Sequence, residues 1–257
     1  MNAPPGLQAF DLTGKVALVT GANTGLGQGM ALALADAGAD IAAAGRSAMD
    51  ETVAAVRSRG RRGTPVEVDL LDEDAPERAV STAVEALGRL DILINNVGII
   101  RRTEALDFSV ADWDEVVQVD LRAAFFLAQA AARRFVAQGG GGKIVNIASV
   151  LSFQGGIRVA SYTAAKSGLV GLTRALANEW AGQGINVNAI APGYCVTNNT
   201  AALRADAGRA REILDRIPAG RWGEPDDLGG AVVFLCSRAS DYVHGAALAV
   251  DGGWLAR

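Results

Sequence analysis

Seven short aliphatic runs recur along this chain, separated by longer stretches of helical pattern, and that alternation restricts the fold more than any single residue does. The runs are Val16–Thr20, Ile41–Gly45, Pro65–Val68, Leu90–Asn95, Lys143–Ser149, Asn186–Ala191 and Ala247–Asp251. The stretches between them are Gly25–Ala37, Met49–Arg59, Ala75–Leu87, Ala111–Gln138, Ala160–Ala181 and Asp226–Cys236. Continuous apolar runs describe strands covered on both faces, the condition of a parallel sheet. Right-handed crossovers then send the intervening helices to both sides. The expected fold is α/β: a single Rossmann-type, doubly wound parallel sheet of about seven strands with helices on both faces. The 257 residues, half of them hydrophobic, can bury the core such a sheet needs, and residues 1–257 read as one domain. No internal repeat divides them, and G-G-G-G at 139–142 reads as a local loop. The rhythm fails from Pro192 to Pro225, where polar and helical pieces replace the next strand–helix step. Insertions of that kind cover a site at the carboxyl edge of a sheet.

Charge narrows the partners. Lys and Arg number 24 against 28 Asp and Glu, a net charge of −4 without any basic run, so neither nucleic acid nor an anionic membrane surface is expected to bind. No uninterrupted apolar stretch reaches the ~20 residues of a membrane span. The first ten residues lack the basic start and apolar centre of a signal peptide, which makes the cytoplasm the expected location. Cys195, Cys236 and the lone His244 form no ligand cluster, so free thiols and no metal are expected.

The first run is followed at once by T-G-A-N-T-G-L-G, Thr20 to Gly27, and then by a helix. Glycines at 21, 25 and 27 permit a tight turn and let backbone N–H groups approach a pyrophosphate at the helix N-terminus, where the helix dipole favours negative charge. In this strand–turn–helix context the pattern points to a dinucleotide, with Gly21, Asn23, Thr24, Gly25, Leu26 and Gly27 around its phosphates. The second run ends in Gly45-Arg46-Ser47. A carboxylate there would bind the 2′-hydroxyl of NAD; Arg46 instead suits a 2′-phosphate, so NADP(H) is favoured and NAD(H) stays open. Asp69 and Leu70 follow the third run, where an adenine edge would lie, and Asn95-Asn96-Val97-Gly98 follows the fourth. Paired asparagines at a strand end hold neighbouring loops through side-chain hydrogen bonds.

In S-Y-T-A-A-K-S-G, Ser161 to Gly168, Tyr162 and Lys166 are four residues apart and share one helix face. A phenol with a pKa of about 10 is a weak base at neutral pH, and a neighbouring ammonium favours its ionised form. Lys166 is therefore expected to lower the pKa of Tyr162. Ser149, at the end of the fifth run, would hold the reacting oxygen while Tyr162 exchanges its proton with a secondary alcohol or ketone and a nicotinamide exchanges hydride.

These motifs resemble the short-chain dehydrogenase/reductase family over essentially the whole chain: T-G-x-x-x-G-x-G at 20–27, N-N-x-G at 95–98, Ser149, Y-x-x-x-K at 162–166, P-G at 192–193 with Thr197, and D-G-G at 251–253. The resemblance implies Ser149, Tyr162 and Lys166 as catalytic residues, with Lys166 also on the nicotinamide ribose and Thr197 on the carboxamide. Asn96, Val97, Gly98, Pro192 and Gly193 complete the implied cofactor set. It also implies a homotetramer built partly through 111–138 and 160–181. Two departures stand out. Val97 replaces the usual alanine, and Asp120 stands where the family has an asparagine that shapes a helix kink and holds a water joining the lysine to solvent. Asp120 can accept that hydrogen bond and, if ionised, would stabilise Lys166 as a cation, which makes it a fourth catalytic candidate.

For the substrate, Arg101, Arg102 and Arg158 flank the expected site and suit a small carboxylate by bidentate hydrogen bonding. I-I-R-R at 99–102, S-F-Q-G-G-I-R-V at 152–159, N-T-A-A-L-R-A-D at 199–206 and the terminal D-G-G-W-L-A-R resemble the family's sugar-acid branch, the 2-deoxy-D-gluconate 3-dehydrogenases and gluconate 5-dehydrogenases. A 3-oxoacyl-[acyl-carrier-protein] reductase is the alternative enzyme. A cofactor-binding regulator without catalysis is the remote one.

Overall fold

In the computed structural model, which describes residues 4–257, seven parallel strands form one sheet in the order β3-β2-β1-β4-β5-β6-β7. They are β1 Val16–Thr20, β2 Asp40–Gly45, β3 Gly63–Glu67, β4 Ile92–Asn95, β5 Gly142–Ile147, β6 Ile185–Pro192 and β7 Ala247–Val250. The helices are α1 Pro5–Gln8, α2 Gly25–Asp36, α3 Asp50–Ser58, α4 Ala75–Leu87, α5 Val110–Val117, α6 Ala123–Gln138, α7 Ala160–Trp180, α8 Ala201–Ala205, α9 Ala207–Arg216 and α10 Gly229–Cys236. The start of the chain read for a leader, Met1–Ala3, lies outside the described residues. Among the described residues no helix is long and apolar enough to cross a membrane.

Every residue of β1 is buried, as a strand covered on both faces requires. Val16 and Leu18 pack in one apolar layer with side chains of α4, α6 and α7. Ala17 and Val19 pack in the other with α2, α3 and α10. The period of two along the strand thus divides the core into two layers. Strand order reverses between β1 and β4, and the crevice above that switch point is where a doubly wound sheet receives its ligand.

Two departures from the sequence expectations have local causes. The fifth strand ends at Ile147 rather than Ser149, because Ser149 caps a short 3₁₀ turn, Val150–Ser152, its Oγ accepting from the Leu151 N–H at 3.1 Å. The helix expected over 111–138 is interrupted by one π-helical turn, Gln118–Arg122, with Asp120 buried inside it. The segment 192–225 folds into α8, α9 and short turns over the carboxyl edge. There Asp206 caps α9 through the Arg209 N–H at 3.0 Å.

Candidate active site

The turn between β1 and α2 is built by close approach of backbone. Gly21 is left-handed at φ 65, and a Cβ on Gly27 would stand 2.1 Å from the Gly21 carbonyl oxygen. No side chain other than hydrogen fits at 27 while the turn keeps this shape. Asn96 braces the turn: its Nδ2 donates to the Thr20 carbonyl at 2.9 Å, and its backbone N–H donates to Thr20 Oγ1 at 2.9 Å. Asn95 ties β4 to β5 and α6, donating to Asn146 Oδ1 at 2.9 Å and to the Ala124 carbonyl at 3.0 Å. Thr24, at the start of α2, makes no side-chain capping bond, so the first-turn N–H groups are left for a ligand. These groups border a cleft of about 470 Å³. Gly21, Asn23, Thr24, Gly25, Leu26, Gly27, Arg46, Asn96, Val97, Gly98, Ser149, Tyr162, Lys166, Pro192, Gly193 and Thr197, all singled out in the sequence, line the cleft, and so do Ile147, Ala148, Asn198, Asn199 and Thr200, which the sequence did not mark. Asp69 and Leu70 line an adjoining slot of about 80 Å³, and Arg46 borders both spaces. The Arg46 guanidinium is 66% exposed and 3.9 Å from Asp69, so it is held loosely and is free to turn to a phosphate. An uncapped helix N-terminus, glycine walls and an exposed guanidinium at the far end suit a dinucleotide with a 2′-phosphate.

At the other end of the cleft, α7 presents Tyr162 and Lys166 one turn apart. The Lys166 ammonium lies 5.6 Å from the centre of the Tyr162 ring. It is buried, donates to the Ile147 carbonyl at 3.0 Å, and stands 3.5 Å from Asp120 Oδ2. Asp120 Oδ1 accepts from the Ile99 N–H at 2.8 Å, whereas its buried Oδ2 makes no hydrogen bond. A side chain on Gly98 would enter this pair, its Cβ 3.0 Å from Asp120 Oδ2 and 3.1 Å from Lys166 Nζ. The glycine of N-N-V-G is therefore explained by an ion pair whose partners lie 22 and 68 residues further along the chain, as well as by the cofactor.

Electrostatics correct one expectation. Lys166 and the Ser149 hydroxyl do favour the Tyr162 phenolate, but burial outweighs them and the Asp120 charge adds to it, so the phenol sits above its ordinary pKa. Burial likewise raises the Asp120 carboxyl, against the pull of Lys166. Cys195 borders the cleft, and its thiol is pushed up to about 11 by burial and nearby carboxylates, which keeps it protonated near neutral pH.

A second hollow of about 130 Å³ opens on the other side of Ser149 and Tyr162. Of the three arginines proposed for the substrate, only Arg102 lines it. Arg101 turns to Glu115 at 2.5 Å and Asp112 at 3.4 Å. Arg158 turns to Glu104 at 2.5 Å in an exposed pair. In this structure carboxylates of the protein hold both of them outside the two spaces. The hollow also holds Tyr194, Asn199, Leu203 and Arg209, none of which the sequence marked as a site residue. The signal for Arg209 was present. It lies four residues before Ile213, which is buried, on the same face of α9.

With that geometry in hand, likeness to known proteins is informative. A family model described as Enoyl-(Acyl carrier protein) reductase, of the short-chain dehydrogenase type, matches residues 21–255. The 2-dehydro-3-deoxy-D-gluconate 5-dehydrogenase of Escherichia coli K12 is 60% identical over 251 residues, covering 98% of this chain and 99% of its own. Two solved structures are alike in fold as well as sequence. An Agrobacterium tumefaciens protein provisionally assigned as a 2-deoxy-D-gluconate 3-dehydrogenase, with NADP bound, is 59% identical with a TM-score of 0.91, covering 97% of this chain and 99% of that one. A Beutenbergia cavernae protein provisionally assigned as an NAD(P)-dependent gluconate 5-dehydrogenase, with NADP at low occupancy, is 50% identical with a TM-score of 0.93, covering 97% and 100%. A family model over nearly the whole chain, a 60% identical relative and two closely superposable structures agree: the chain belongs to the short-chain dehydrogenase/reductase family.

Proposed function

We propose that the protein interconverts a secondary hydroxyl and a ketone on a sugar acid, with NADP(H) as cofactor and NAD(H) as the weaker alternative. The observation that carries this reading is the position of Ser149 and Tyr162 on the wall between two spaces: a dinucleotide cleft on one side and an arginine-lined hollow on the other. Relatives named for 2-dehydro-3-deoxy-D-gluconate and gluconate support the choice of acid, and relatives solved with NADP support the cofactor.

Bound nicotinamide would accept or supply the hydride. The chain's own residues handle the proton. Tyr162 takes it from the substrate hydroxyl in oxidation and returns it in reduction. Ser149 hydrogen-bonds the same oxygen and fixes which face of the carbon meets the cleft. Lys166, cationic between Asp120 and the Ile147 carbonyl, stabilises the phenolate as it forms. Asp120 acts as a positioning residue, holding Lys166 and the Ile99 backbone on the lip of the cleft. Arg46 selects the phosphorylated cofactor.

The cytoplasm is the proposed location. A homotetramer paired through the outer faces of α6 and α7 is the proposed assembly, supported by exposed Val136 beside half-buried Phe125 and Trp180. Absorbance at 340 nm tests the activity, using a panel of aldonic and keto-deoxy acids beside neutral alcohols and acyl thioesters. The expected result is turnover of the acids with NADP ahead of NAD. Arg46→Ala is expected to cost about 10–100-fold in kcat/KM with NADP, the worth of a charge-assisted contact, and to leave NAD kinetics near wild type. Turnover restricted to acyl thioesters would move the assignment to the reductase alternative. An unchanged NADP preference in Arg46→Ala would remove Arg46 as the selector.

A further inference from the structure

We propose that Arg209 is a specificity-determining residue: with Arg102 on the facing wall, it clamps the carboxylate of the substrate in the hollow beside Tyr162. The inference rests on the sugar-acid reading above and deepens it by naming the group that selects the acid.

Positions four apart on a helix lie above one another. Ile213 is 1% exposed and packs with Val150, Ile217 and Trp254, so its face of α9 is the inward one. The flank carries exposed pairs, Arg211 with Asp215 at 2.9 Å among them. Arg209 belongs to the Ile213 face, one turn earlier, where the helix passes from packed core to the rim of the hollow. The Arg209 side chain is 42% exposed at that rim, so solvent reaches part of its fork while the rest is free to turn toward the hollow. Glu212 takes one N–H of Arg209 at 2.8 Å, and no other protein acceptor reaches the group among the described residues. A guanidinium carries five donors in a planar fork, so most of this fork is unspent.

Arg102 approaches from the loop after β4. It donates to the Asn199 carbonyl at 2.9 Å, which fastens that loop to the covering segment. Most of the remaining wall is apolar, with Ile100, Val150, Leu151, Ile157 and Leu203 beside the Tyr194 phenol. Burial raises the pKa of Tyr194, while Arg209, Arg216 and Arg102 oppose the rise, so positive charge converges on this corner. Unlike Arg101 and Arg158, Arg209 lines the hollow even while it is paired with Glu212, so with Arg102 it offers donors to an anion there. A carboxylate with two oxygens matches paired forks in charge and in geometry. The scaffold is fixed in advance: Arg257 at the end of the chain donates to the Arg216 and Asp215 carbonyls at 3.1 and 2.8 Å, pinning the C-terminal turn of α9. Arg216 in turn lies 4.0 Å over the Trp254 ring. Arg209 therefore contributes binding without a large ordering cost.

The test compares wild type, Arg209→Gln and Arg209→Lys on two probes. One is D-gluconate or 2-dehydro-3-deoxy-D-gluconate, whichever wild type turns over faster; the other is the primary amide of the same acid, which lacks the charge. Wild type is expected to prefer the acid. Arg209→Gln should raise KM for the acid about 10–100-fold, as loss of a charge-assisted pair does, with little change in kcat and none in the constants for the amide or NADP. Arg209→Lys should recover part of the loss, since it restores charge without the fork. Equal losses on acid and amide would overturn the clamp and make Arg209 a packing residue of the cover. A wild-type KM for the acid in Arg209→Gln would overturn it outright. A wild type with no preference for the acid, or no turnover of either probe, sinks the sugar-acid reading itself and the clamp with it; that result is visible before any variant is made.

Discussion

The turn at Thr20–Gly27 and the covering segment at 192–225 border the same cleft but are specified in opposite ways. In the turn, backbone meets backbone. Position 27 is glycine because the Gly21 carbonyl would stand 2.1 Å from any Cβ there, and the constraint is satisfied within eight residues of sequence. In the cover, side chains meet side chains from distant parts of the chain. Arg102 holds the Asn199 carbonyl, and Arg257 holds the end of α9. The phosphate turn is thus shaped mainly by local backbone geometry, with Asn96 as its one distant brace, whereas the cover is shaped by tertiary convergence. That division lets one fold keep its hydride chemistry while its cover changes substrate.

The sharpest way to break the comparison is a matched pair of glycine substitutions. Gly27→Ala forces backbone apart in the turn, which costs about 1–3 kcal/mol by overpacking and should abolish measurable NADP binding in a fluorescence titration. Gly208→Ala, inside α9, adds a Cβ that meets only Asp206 Oδ1, at 3.4 Å. It should raise stability by up to about 1 kcal/mol in urea unfolding, the helix propensity difference between the two residues, and leave cofactor affinity unchanged. If both variants bind NADP like wild type, the turn is not a backbone-defined site.

How much was legible follows the same division. The strands and α2, α4 and α7 could be read because burial on two faces and helical periodicity are local patterns. The residues of the dinucleotide cleft could be read because glycine, proline and strand-end polar residues mark backbone events. The substrate side was read poorly, and charge counting explains why. Arg101, Arg102 and Arg158 look equivalent along the chain, yet Glu115 and Glu104 capture two of them. No local rule names an ion-pair partner 54 residues away, which is the separation of Glu104 from Arg158. Lys166 and Tyr162 were legible as a pair, but the net direction of the Tyr162 shift was not, because desolvation depends on everything packed around the ring.

A smaller effect probes the floor between the two regions. The Asp120 charge adds to the upward shift of Tyr162. Asp120→Asn removes a negative charge from the neighbourhood of the phenol, so its ionised form becomes easier to reach and its pKa falls. In alcohol oxidation the working form is the phenolate, and the rising limb of the kcat/KM profile should therefore move to lower pH. Asparagine keeps an acceptor for the Ile99 N–H, so the lip of the cleft should hold its shape and NADP affinity should stay within about threefold. A limb that stays in place would mean that Asp120 is protonated in the working enzyme and positions Lys166 as a neutral group. A limb that moves to higher pH would mean that its main effect is to keep Lys166 cationic.

The smallest effect is expected at Arg158, and it is the most discriminating for the cover. Arg158 is non-glycine at φ 63, a left-handed conformation that costs an ordinary residue about 1–2 kcal/mol. Arg158→Gly relieves that strain. It also loosens the unfolded chain, and it deletes an ion pair with Glu104 whose partners are about 60% exposed and which is worth about 0.2–1 kcal/mol. The gain and the two losses are similar in size, so urea unfolding should shift by no more than about 1 kcal/mol. The Thr103 N–H keeps its bond to the carbonyl of residue 158, since that bond needs no side chain. If the hollow is served by Arg102 and Arg209 alone, KM for the sugar acid stays at the wild-type value, because the lost guanidinium was already spent on Glu104. A tenfold rise in KM with unchanged stability would mean that Arg158 leaves Glu104 when substrate arrives. The cover would then rearrange around its ligand, and substrate choice would lie in an exchange of ion pairs rather than in a preset clamp.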